Sequence, residues 1–507
     1  MSNEVAPVAL PPFRAIPDLV REHARARPAQ LALRQGRERM TWEQFDAAVD
    51  RVAAALQARG LQPRQAIAIC GANSIPYVVL FLGGLRAGLA VAPLPTGATA
   101  QQLAGMVGDS GACLLFADAA VPDFEAGVPR IRMDRAAELE QWLGAALRPQ
   151  PVAIEPDWPF NIIYSSGTTG TPKGIVQPHR MRWAHVARGE NYGWGPDAVT
   201  LVATSLCSNT TLVSAFPCLA KGGTLVLTEG RFDPQAYLEL AQDARATHAM
   251  LVPVQYQRLM ACPAFDRCDL SSFRLKFCTS APFSANLKAQ VLARWPGGLV
   301  EYYGMTEGGG TCILEAHRFP DKLHTVGRPA EGHDIRLVDE QGRELAPGEA
   351  GEVVGRSVSM MSGYRNQPEK TREAEWYDAE GKRFIRTGDV GRFDADGFLV
   401  LLDRRKDMII SGGFNVYPSD LEAVLRQHPA VHEAAVIGVP SEAWGETPVA
   451  FVVPNAGAPA AADLRAWANE RVGKIQRLAD LRYLPELPRS DIGKVLKRQL
   501  REGYAPG

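Results

Sequence analysis

The sequence predicts an α/β protein: a large N-terminal domain of packed mixed and parallel sheets with helices, a β-subdomain, and a small α+β C-terminal domain. Up to about residue 325, short apolar runs alternate with segments of helical periodicity, a pattern typical of parallel sheets covered by helices. Beyond that point, short strands separated by Gly and Asp indicate the β-subdomain. The 507 residues also exceed what one hydrophobic core normally serves.

The first helix with a clear start follows Thr41, which forms a capping box with Gln44 ahead of apolar residues at helical spacing. Further helices are predicted at Ser74–Ala87 and Pro234–Arg245. Compact apolar runs predict strands at Ala66–Cys70, Leu89–Leu94, Ala112–Ala117, Phe160–Tyr164, Leu201–Ser205 and Thr224–Thr228.

The last part of the chain predicts a separate folding unit. A second capping box, formed by Ser419 and Glu422, is expected to open a helix. Around it we predict strands at Asp334–Asp339, Gly351–Val358, Phe398–Asp403, Val431–Val439 and Val449–Pro454, and a helix at Ala460–Arg471. We therefore expect an N-terminal domain of residues 1–405 and a C-terminal domain of residues 406–507.

Composition excludes several classes of protein. With 46% hydrophobic and 22% charged residues the chain is neither disordered nor fibrous. Its 55 Lys and Arg against 56 Asp and Glu leave a net charge of −1, which predicts no binding to nucleic acid. Eight cysteines without a CxxC pair, no signal-peptide pattern, and an apolar stretch interrupted by Arg86 predict a cytoplasmic protein without integral membrane association. The oligomeric state stays open, a homodimer included.

One stretch, Tyr164–Gly174, has the composition of a polyphosphate-binding loop. It follows an apolar run and combines serine and threonine hydroxyls with three glycines and Lys173. Glycines let backbone N–H groups turn around an anion, and the lysine adds positive charge. It is neither GxxxxGK[ST] nor GxGxxG, which disfavours those two folds. The alternative is an ordinary surface turn. The candidate binding residues are Ser165, Ser166, Gly167, Thr168, Thr169, Gly170 and Lys173.

Further positions carry chemistry that suits a nucleotide. Tyr303 offers a stacking face, Thr306 a hydroxyl donor, and Glu307 a hard oxygen ligand for Mg²⁺. Asp389 can accept both hydroxyls of a ribose. Arg404 matches a ribose or phosphate oxygen.

These motifs, in this order, resemble the signatures of the adenylate-forming superfamily, which includes acyl- and aryl-CoA ligases, peptide-synthetase adenylation domains and beetle luciferases. The resemblance extends over essentially the whole chain. It implies that the Ser/Thr/Gly loop holds the phosphates of ATP and that Tyr303 stacks on adenine, with Ser280 and Ala281 beside the nucleotide. It also implies a Mg²⁺ ion held by Thr168 and Glu307.

The resemblance implies roles for residues of the C-terminal domain as well. Lys494 would be the lysine that catalyses adenylation together with Thr306 and Glu307, and Lys406 the hinge at which this domain rotates. Trp444 and Arg477, helped by Lys474, would contact CoA, although the basic run usual in the family is altered here. Gly412 and Gly413 would leave room for the pantetheine arm of CoA.

The same resemblance locates the pocket for the acid. Its candidate residues are Cys207, Ser208, Thr211, Gly304, Met305 and Gly309. Asn209 stands where amino-acid adenylators place an Asp, and residues 203–216 contain no Lys or Arg. The acid is therefore expected to be an apolar aryl or acyl carboxylate. Glu301 replaces the Asn or Gln that is frequent in the family near the adenine.

Together these residues predict an AMP-forming carboxylic acid–CoA ligase that uses ATP, Mg²⁺ and CoA. Such an enzyme makes an acyl-adenylate and pyrophosphate, and the thiol then displaces AMP. One alternative is an adenylating enzyme that loads the thiol of an acyl carrier protein. Another, from a different class, is a non-catalytic nucleotide-binding protein.

Overall fold

The computed structural model describes residues 10–145, 148–165, 172–404, 407–411, 414–441, 444–490 and 494–505. Contacts divide the chain into two compact units. The larger unit contains Met1–Ile335 and Gly355–Ile385, and the smaller contains Arg336–Val354 and Arg386–Gly507. Each unit combines separate stretches of the chain, so this division does not test a single boundary between residues 405 and 406. That boundary stays a prediction.

Helices occur throughout the chain. They are α1 (Ile16–Ala26), α2 (Trp42–Ala58), α3 (Ile75–Arg86), α4 (Ala100–Ser110), α5 (Ala136–Leu143), α6 (His179–Arg188), α7 (Asn209–Ala220), α8 (Pro234–Asp243), α9 (Pro253–Met260), α10 (Ala285–Arg294), α11 (Pro368–Glu373), α12 (Pro418–Leu425), α13 (Ala461–Asn469) and α14 (Lys497–Glu502). Short 3-10 turns lie at Gly189–Tyr192, Phe265–Arg267, Pro320–Lys322 and Lys474–Gln476.

The first strands alternate with these helices. They are β1 (Leu31–Gln35), β2 (Glu38–Thr41), β3 (Ala66–Cys70), β4 (Ala90–Leu94), β5 (Ala112–Ala117), β6 (Arg130–Arg132), β7 (Pro159–Ser165), β8 (Lys173–Pro178), β9 (Val199–Val202), β10 (Thr224–Leu227), β11 (His248–Leu251), β12 (Leu275–Cys278), β13 (Gly298–Tyr303), β14 (Cys312–Glu315) and β15 (Arg328–Pro329). The later strands are β16 (Asp334–Val338), β17 (Gly351–Arg356), β18 (Gly363–Tyr364), β19 (Glu375–Tyr377), β20 (Arg383–Phe393), β21 (Leu399–Arg404), β22 (Ile409–Ser411), β23 (Phe414–Val416), β24 (Val431–Ser441), β25 (Gly445–Pro454) and β26 (Asp480–Tyr483).

The larger unit contains two mixed sheets with parallel centres. One has the order β15-β14-β13-β12-β11-β9-β10-β1-β2, and its neighbours from β13 to β1 are parallel. The other has the order β18-β8-β7-β4-β3-β5-β6 and is parallel from β7 to β6. This confirms the predicted α/β architecture, and it gathers the carboxyl ends of the parallel strands at one edge of each sheet.

Helices α1, α2, α3, α6 and α7 share one continuous core with strands of both sheets. Helix α3 is buried on every side, and Arg86 at its end forms ion pairs with Asp46 (2.6 Å) and Asp50 (2.8 Å). The close packing of α3 on α2 requires glycine, since a Cβ at Gly83 would lie 2.3 Å from Val52 Cγ1. In the described residues no helix combines the length and the apolar character that crossing a membrane requires.

The smaller unit contains an antiparallel region followed by an α+β region. Strands β20 and β21 pair in antiparallel fashion, with Asp389 opposite Arg404. The α+β region contains a separate sheet of the order β23-β22-β25-β24, in which β26 also pairs with β25 in parallel. Helices α12 and α13 share a core with this sheet, and Leu500 of α14 belongs to a second core beside it.

The predicted elements agree with the structure in most places. The capping box of Thr41 and Gln44 is confirmed, and so are the strands at Ala66–Cys70 and Ala112–Ala117. The strand predicted at Leu201–Ser205 is displaced, because β9 ends at Val202.

The capping box predicted at Ser419 is wrong. Helix α12 begins at Pro418, and the Ser419 backbone N–H donates to Asp403 Oδ2 at 2.9 Å. Glu422 accepts from the Val436 backbone N–H at 2.9 Å and pairs with Lys497, so its side chain serves tertiary contacts instead.

Candidate active site

The predicted phosphate loop connects two paired strands. Strands β7 and β8 are antiparallel, and Ser165 lies opposite Lys173. The intervening candidates, Ser166, Gly167, Thr168, Thr169 and Gly170, lie outside the described residues. Lys173 therefore stands at the base of the hairpin from which the loop extends, and its Nζ lies 4.8 Å from the centre of the Tyr364 ring.

Tyr364 joins this lysine to the predicted metal ligand. Its hydroxyl donates to Glu307 Oε1 at 2.7 Å. Burial and the negative charge of Glu307 raise the pKa of Tyr364 above the usual phenol range, so the hydroxyl remains a donor. The hydrogen bond orients the Glu307 carboxylate and uses one of its two oxygens.

A carboxylate held in this way fits Mg²⁺. This ion is commonly bound through one or two carboxylates together with substrate phosphates and water. Across the described ranges, no group of three or more His, Cys, Asp or Glu side chains gathers into a denser metal site. Thr168, the other predicted ligand, lies outside the described residues.

The segment after Tyr303 has a backbone path that requires glycine. Gly308 has φ +78°, and a Cβ there would lie 1.8 Å from the Ser359 carbonyl oxygen. The Gly309 N–H donates to that carbonyl at 3.1 Å, and the Met361 N–H donates to the Glu307 carbonyl at 2.8 Å. Residues 359–361 thereby fix the position of Glu307 along the loop.

A buried polar network holds the same loop at Thr306. Gln177 Nε2 donates to the Thr306 carbonyl at 2.6 Å, and Gln177 Oε1 accepts from Asn161 at 2.9 Å and from Arg182. Arg182 is fully buried; burial lowers its pKa to about 9, so it is still protonated at neutral pH. Since a cation holds Oε1, the amide of Gln177 has one orientation, with its N–H₂ toward Thr306.

We expect Gln177→Glu to slow adenylation roughly tenfold. The substitution keeps the shape but replaces a donor by an oxygen that repels the Thr306 carbonyl, and a lost hydrogen bond of this kind costs about 1–2 kcal/mol. Acid-dependent pyrophosphate release measures the effect, with the exposed Gln101→Glu as a matched control. Equal rates in both variants would contradict this positioning role.

The pocket candidates lie after the carboxyl ends of parallel strands. Ser208 caps helix α7, and Thr210 in its first turn bonds to Ser280 through their hydroxyls at 2.5 Å. Ser280, with φ +83°, and Ala281 follow β12. The hydrogen bond between Thr210 and Ser280 thus joins the segments that follow β9 and β12.

Other pocket candidates form contacts within the protein. Thr211 is fully buried and its hydroxyl donates to the Ser205 carbonyl at 2.6 Å, while the Ser205 hydroxyl lies 3.1 Å from Cys207 Sγ. Gly309, with φ +84°, packs against Gly355. Gly304 is exposed and Met305 is half-buried, so these two border open space.

The unusual Glu301 has a structural partner. Its carboxylate pairs with Lys288, and both side chains are almost completely buried. Lys288 Nζ also donates to the carbonyl oxygens of Leu323 (2.8 Å) and Thr325 (3.0 Å). Glu301 and Tyr303 alternate with Tyr302 along β13, so Tyr302 points to the opposite face of the sheet.

In the smaller unit, the register of β20 and β21 places Asp389 opposite Arg404, and their role at a ribose stays a prediction. Lys406, Gly412 and Gly413 lie outside the described residues. Ser411, directly before the two glycines, pairs with Gly445, the neighbour of Trp444.

Trp444 presents an exposed ring, and Lys474 Nζ lies 5.8 Å from its centre. Arg477, beyond the same 3-10 turn, is exposed. The predicted CoA residues Trp444 and Lys474 are therefore neighbours on one surface.

Lys494 is half-buried, and two hydrogen bonds join it to Ser490. The Ser490 N–H donates to the Lys494 carbonyl at 2.9 Å, and the Lys494 N–H donates to the Ser490 hydroxyl at 3.2 Å. Nearby cations are ion-paired: Arg489 with Glu433, Lys497 with Glu422 and Arg501 with Asp407.

Sequence reasoning missed Tyr364, Gln177 and Arg182. Gln177 and Tyr364 form hydrogen bonds to motif residues that are distant in sequence, and Tyr364 is 57 residues from Glu307. Arg182 contacts the motif through Gln177. A faint signal existed for the network, since Asn161 and Gln177 are polar residues within otherwise apolar runs.

Comparison with known proteins agrees with this geometry. The model of the AMP-binding enzyme family matches residues 20–365, and that of the AMP-binding enzyme C-terminal domain matches residues 420–494. A feruloyl-CoA synthase from Amycolatopsis sp is 34% identical over 492 residues, which cover 95% of this chain and 97% of that protein.

Two further proteins are similar along nearly their whole length. The fatty acid–[acyl-carrier-protein] ligase ScoC from Streptomyces coeruleorubidus is 31% identical, with 95% of each chain covered. The o-succinylbenzoate CoA synthetase (MenE) from Bacillus subtilis, solved with its acyl-adenylate intermediate, superposes with a TM-score of 0.84 at 28% identity, covering 96% of this chain and 98% of that one. The chain therefore belongs to the AMP-binding enzyme family, that is, to the adenylate-forming superfamily, as an AMP-forming acid–CoA ligase that uses ATP, Mg²⁺ and CoA.

Proposed function

We propose that this ligase activates an aryl or medium- to long-chain acyl carboxylate at the loop between Tyr303 and Gly309, and then transfers the acyl group to CoA. The observation that carries the assignment of the site is the contact of Tyr364 with both Lys173 and Glu307. The lysine and the carboxylate proposed to bind the metal thus contact the same tyrosine. This tyrosine lies at the base of the hairpin that carries the phosphate loop.

The chemistry requires positive charge and alignment more than acid–base catalysis. A carboxylate attacks the α-phosphorus of ATP and pyrophosphate leaves, so two anions must be held in line. A bound Mg²⁺ supplies charge neutralisation on the phosphate oxygens. Lys173 would bind the phosphates, Thr306 would donate a hydrogen bond to the α-phosphate, and Lys494 would stabilise the charge that develops there.

The nucleoside would be held by an aromatic ring, by the turn after β12 and by an acidic residue of β20. Tyr303 would stack on the adenine, while Ser280 and Ala281 would lie beside it. Asp389 would accept the ribose hydroxyls with Arg404 as its neighbour, since the two residues face each other across β20 and β21.

Asn209 offers no charged partner for the α-ammonium group of an amino acid. Asn209, at the start of α7, lies 3.4 Å from Gln177 Nε2 through its Oδ1 and carries no charge to pair with an α-ammonium group. Residues 203–216 also contain no Lys or Arg. Both features support a substrate without a second charged group at this wall.

The acceptor thiol of CoA would approach the smaller unit. The adjacency of Trp444 and Lys474, and the pairing of Ser411 with Gly445 beside Gly412 and Gly413, support one binding surface there. Rotation of the C-terminal domain at Lys406 would remove Lys494 from the nucleotide after adenylation. The same rotation would bring the CoA-binding surface to the acyl-adenylate. The similarity to ScoC keeps the thiol of an acyl carrier protein as a second acceptor.

The test is pyrophosphate release over a panel of aryl and C4–C16 acids, with and without CoA or a phosphopantetheinylated carrier protein. We expect acid-dependent release with ATP and Mg²⁺, and a thioester with CoA. A thioester with the carrier protein alone would favour the second acceptor. No release with any acid would favour a non-catalytic nucleotide-binding protein. A cytoplasmic location remains a prediction from the cysteine pattern.

A further inference from the structure

An aspartate near the end of helix α4 makes contacts that the proposed function does not use. Asp109 lies in the last turn of the helix, where the backbone carbonyl groups carry partial negative charge. The sequence of this turn, Val107–Ser110, contains no basic residue. A carboxylate at this end of a helix is unfavourable unless other groups stabilise it. The groups that stabilise Asp109 come from two segments of the candidate active site.

The first partner of this carboxylate is a tyrosine at the start of the phosphate loop. The Tyr164 hydroxyl donates to Asp109 Oδ2 at 2.7 Å. Burial and the hydrogen bond to Asp109 raise the pKa of Tyr164 above the usual phenol range, so the hydroxyl remains a donor. In the pairing of β7 with β8, Tyr164 lies opposite Gly174. The next pair is Ser165 and Lys173, so the hydrogen bond reaches the strand ends from which the loop extends.

The other strand end packs directly against the same carboxylate. A Cβ at Gly174 would lie 3.0 Å from Asp109 Oδ2 and 3.1 Å from Arg365 Cβ, so the close approach favours glycine. The Gly174 carbonyl also accepts from the Arg365 backbone N–H at 2.7 Å. Asp109 therefore lies against both β7 and β8 at the base of the phosphate loop.

The second segment is the turn that follows Tyr364. Asn366 Nδ2 donates to Asp109 Oδ1 at 3.2 Å and to the Asp109 carbonyl oxygen at 3.0 Å. Arg365 Nε donates to the same carbonyl at 3.4 Å. Asn366 has φ +52°, a left-handed conformation that asparagine adopts more readily than most residues. Since Tyr364 binds Glu307, this turn connects Asp109 with the predicted metal ligand.

We propose that Asp109 is a positioning residue for the phosphates of ATP. Its carboxylate fixes the base of the hairpin at Tyr164 and Gly174, and thereby determines where the neighbouring Lys173 holds the phosphates. This inference rests on the proposed function and adds a residue that acts on the phosphate loop from the side of α4. Asp109 acts through Tyr164 and through the turn at residues 364–366, without contact to the reacting atoms. All of these residues belong to the larger unit.

The expected consequence is specific for the phosphates that leave as pyrophosphate. AMP carries the adenosine and the α-phosphate of ATP, but neither the β- nor the γ-phosphate. A displaced hairpin base should therefore weaken the binding of ATP with Mg²⁺ and leave the binding of AMP unchanged. A general loss of structure would weaken both, so the ratio of the two dissociation constants separates positioning from folding.

The test measures the binding of ATP with Mg²⁺ and of AMP by titration calorimetry, without an acid, so that no turnover occurs. We expect Asp109→Ala to raise the Kd for ATP about tenfold, the scale of one hydrogen bond to a charged group, and the Kd for AMP by less than about twofold. Tyr164→Phe removes the hydroxyl alone and should raise the Kd for ATP about three- to tenfold. The double variant should match Asp109→Ala within about twofold, because both substitutions break the same contact.

Asp243→Ala is the matched control, because Asp243 is the last residue of helix α8 and pairs with Arg34 instead. This variant also loses an aspartate from a helix end, and it should bind both nucleotides as the wild-type protein does. Thermal unfolding checks that each variant is folded. Tyr164→Phe keeps the aromatic ring, and its two dissociation constants decide the question if Asp109→Ala is not folded.

Three results would overturn the inference alone. The first is an unchanged Kd for ATP in the folded variants, and the second is an equal loss of affinity for ATP and AMP, which would show a general structural role. The third is a double variant whose loss equals the product of the two single losses, since Tyr164 and Asp109 would then act separately. If wild-type protein binds neither ATP nor AMP, the proposed function fails and this inference fails with it.

Discussion

Lys494→Ala is expected to slow acyl-adenylate formation by roughly 10²–10³-fold, the scale of losing one strong donor to the transition state. Thioester formation from supplied acyl-AMP and CoA should remain nearly unchanged, because in that step the thiol attacks the acyl carbonyl carbon and AMP leaves, so no bond to the α-phosphorus forms or breaks. The two half-reactions are measured separately, by pyrophosphate release and by thioester formation.

The matched control is Arg498→Ala, which removes a cation four residues away in helix α14, where Arg498 pairs with Glu502 at 3.2 Å. That variant should retain both half-reactions. A comparable loss in both half-reactions of Lys494→Ala would refute the role assigned to this lysine.

Glu307→Gln is expected to slow adenylation by about 10²-fold and to shift the Mg²⁺ dependence to higher concentrations. The amide still accepts the hydrogen bond from Tyr364, so the fold of the loop is preserved while the anionic metal ligand is lost. The measurement is the initial rate of pyrophosphate release over a Mg²⁺ titration at saturating ATP.

Tyr364→Phe provides a graded comparison. It keeps the Glu307 charge but removes the donor that orients it, and we expect a smaller loss, about three- to tenfold. Thermal unfolding of both variants should stay close to wild type. A Glu307→Gln protein with an unchanged Mg²⁺ dependence would show that Glu307 is not the metal ligand.

The sequence predicts those parts of the molecule whose physics is local. The strands at Ala66–Cys70 and Ala112–Ala117 are continuous apolar runs, and the box at Thr41 depends on contacts within one turn. The box at Ser419 looks equally local, but Asp403 provides a competing acceptor for its backbone N–H. A local sequence pattern does not show whether a backbone N–H donates to a neighbour in the helix or to a residue distant in sequence.

The same distinction applies to the site. Tyr303, Thr306 and Glu307 are close in sequence and have recognisable chemistry, so they could be predicted together. The groups that orient them come from elsewhere: Gln177 reaches Thr306, and Tyr364 reaches Glu307. These contacts depend on how strands from two sheets meet, which one sequence without its fold does not specify.

The smaller unit is assembled from two separate stretches of chain, and this affects how the protein can be truncated. A fragment ending at residue 405 would keep β21 but lose α12, whose Ser419 binds Asp403 through its backbone and the Leu402 carbonyl through its hydroxyl. Deletion of the last hundred residues would thus remove both of these hydrogen bonds together with the helix that makes them. A cut at this point would divide one compact unit instead of separating the two units from each other.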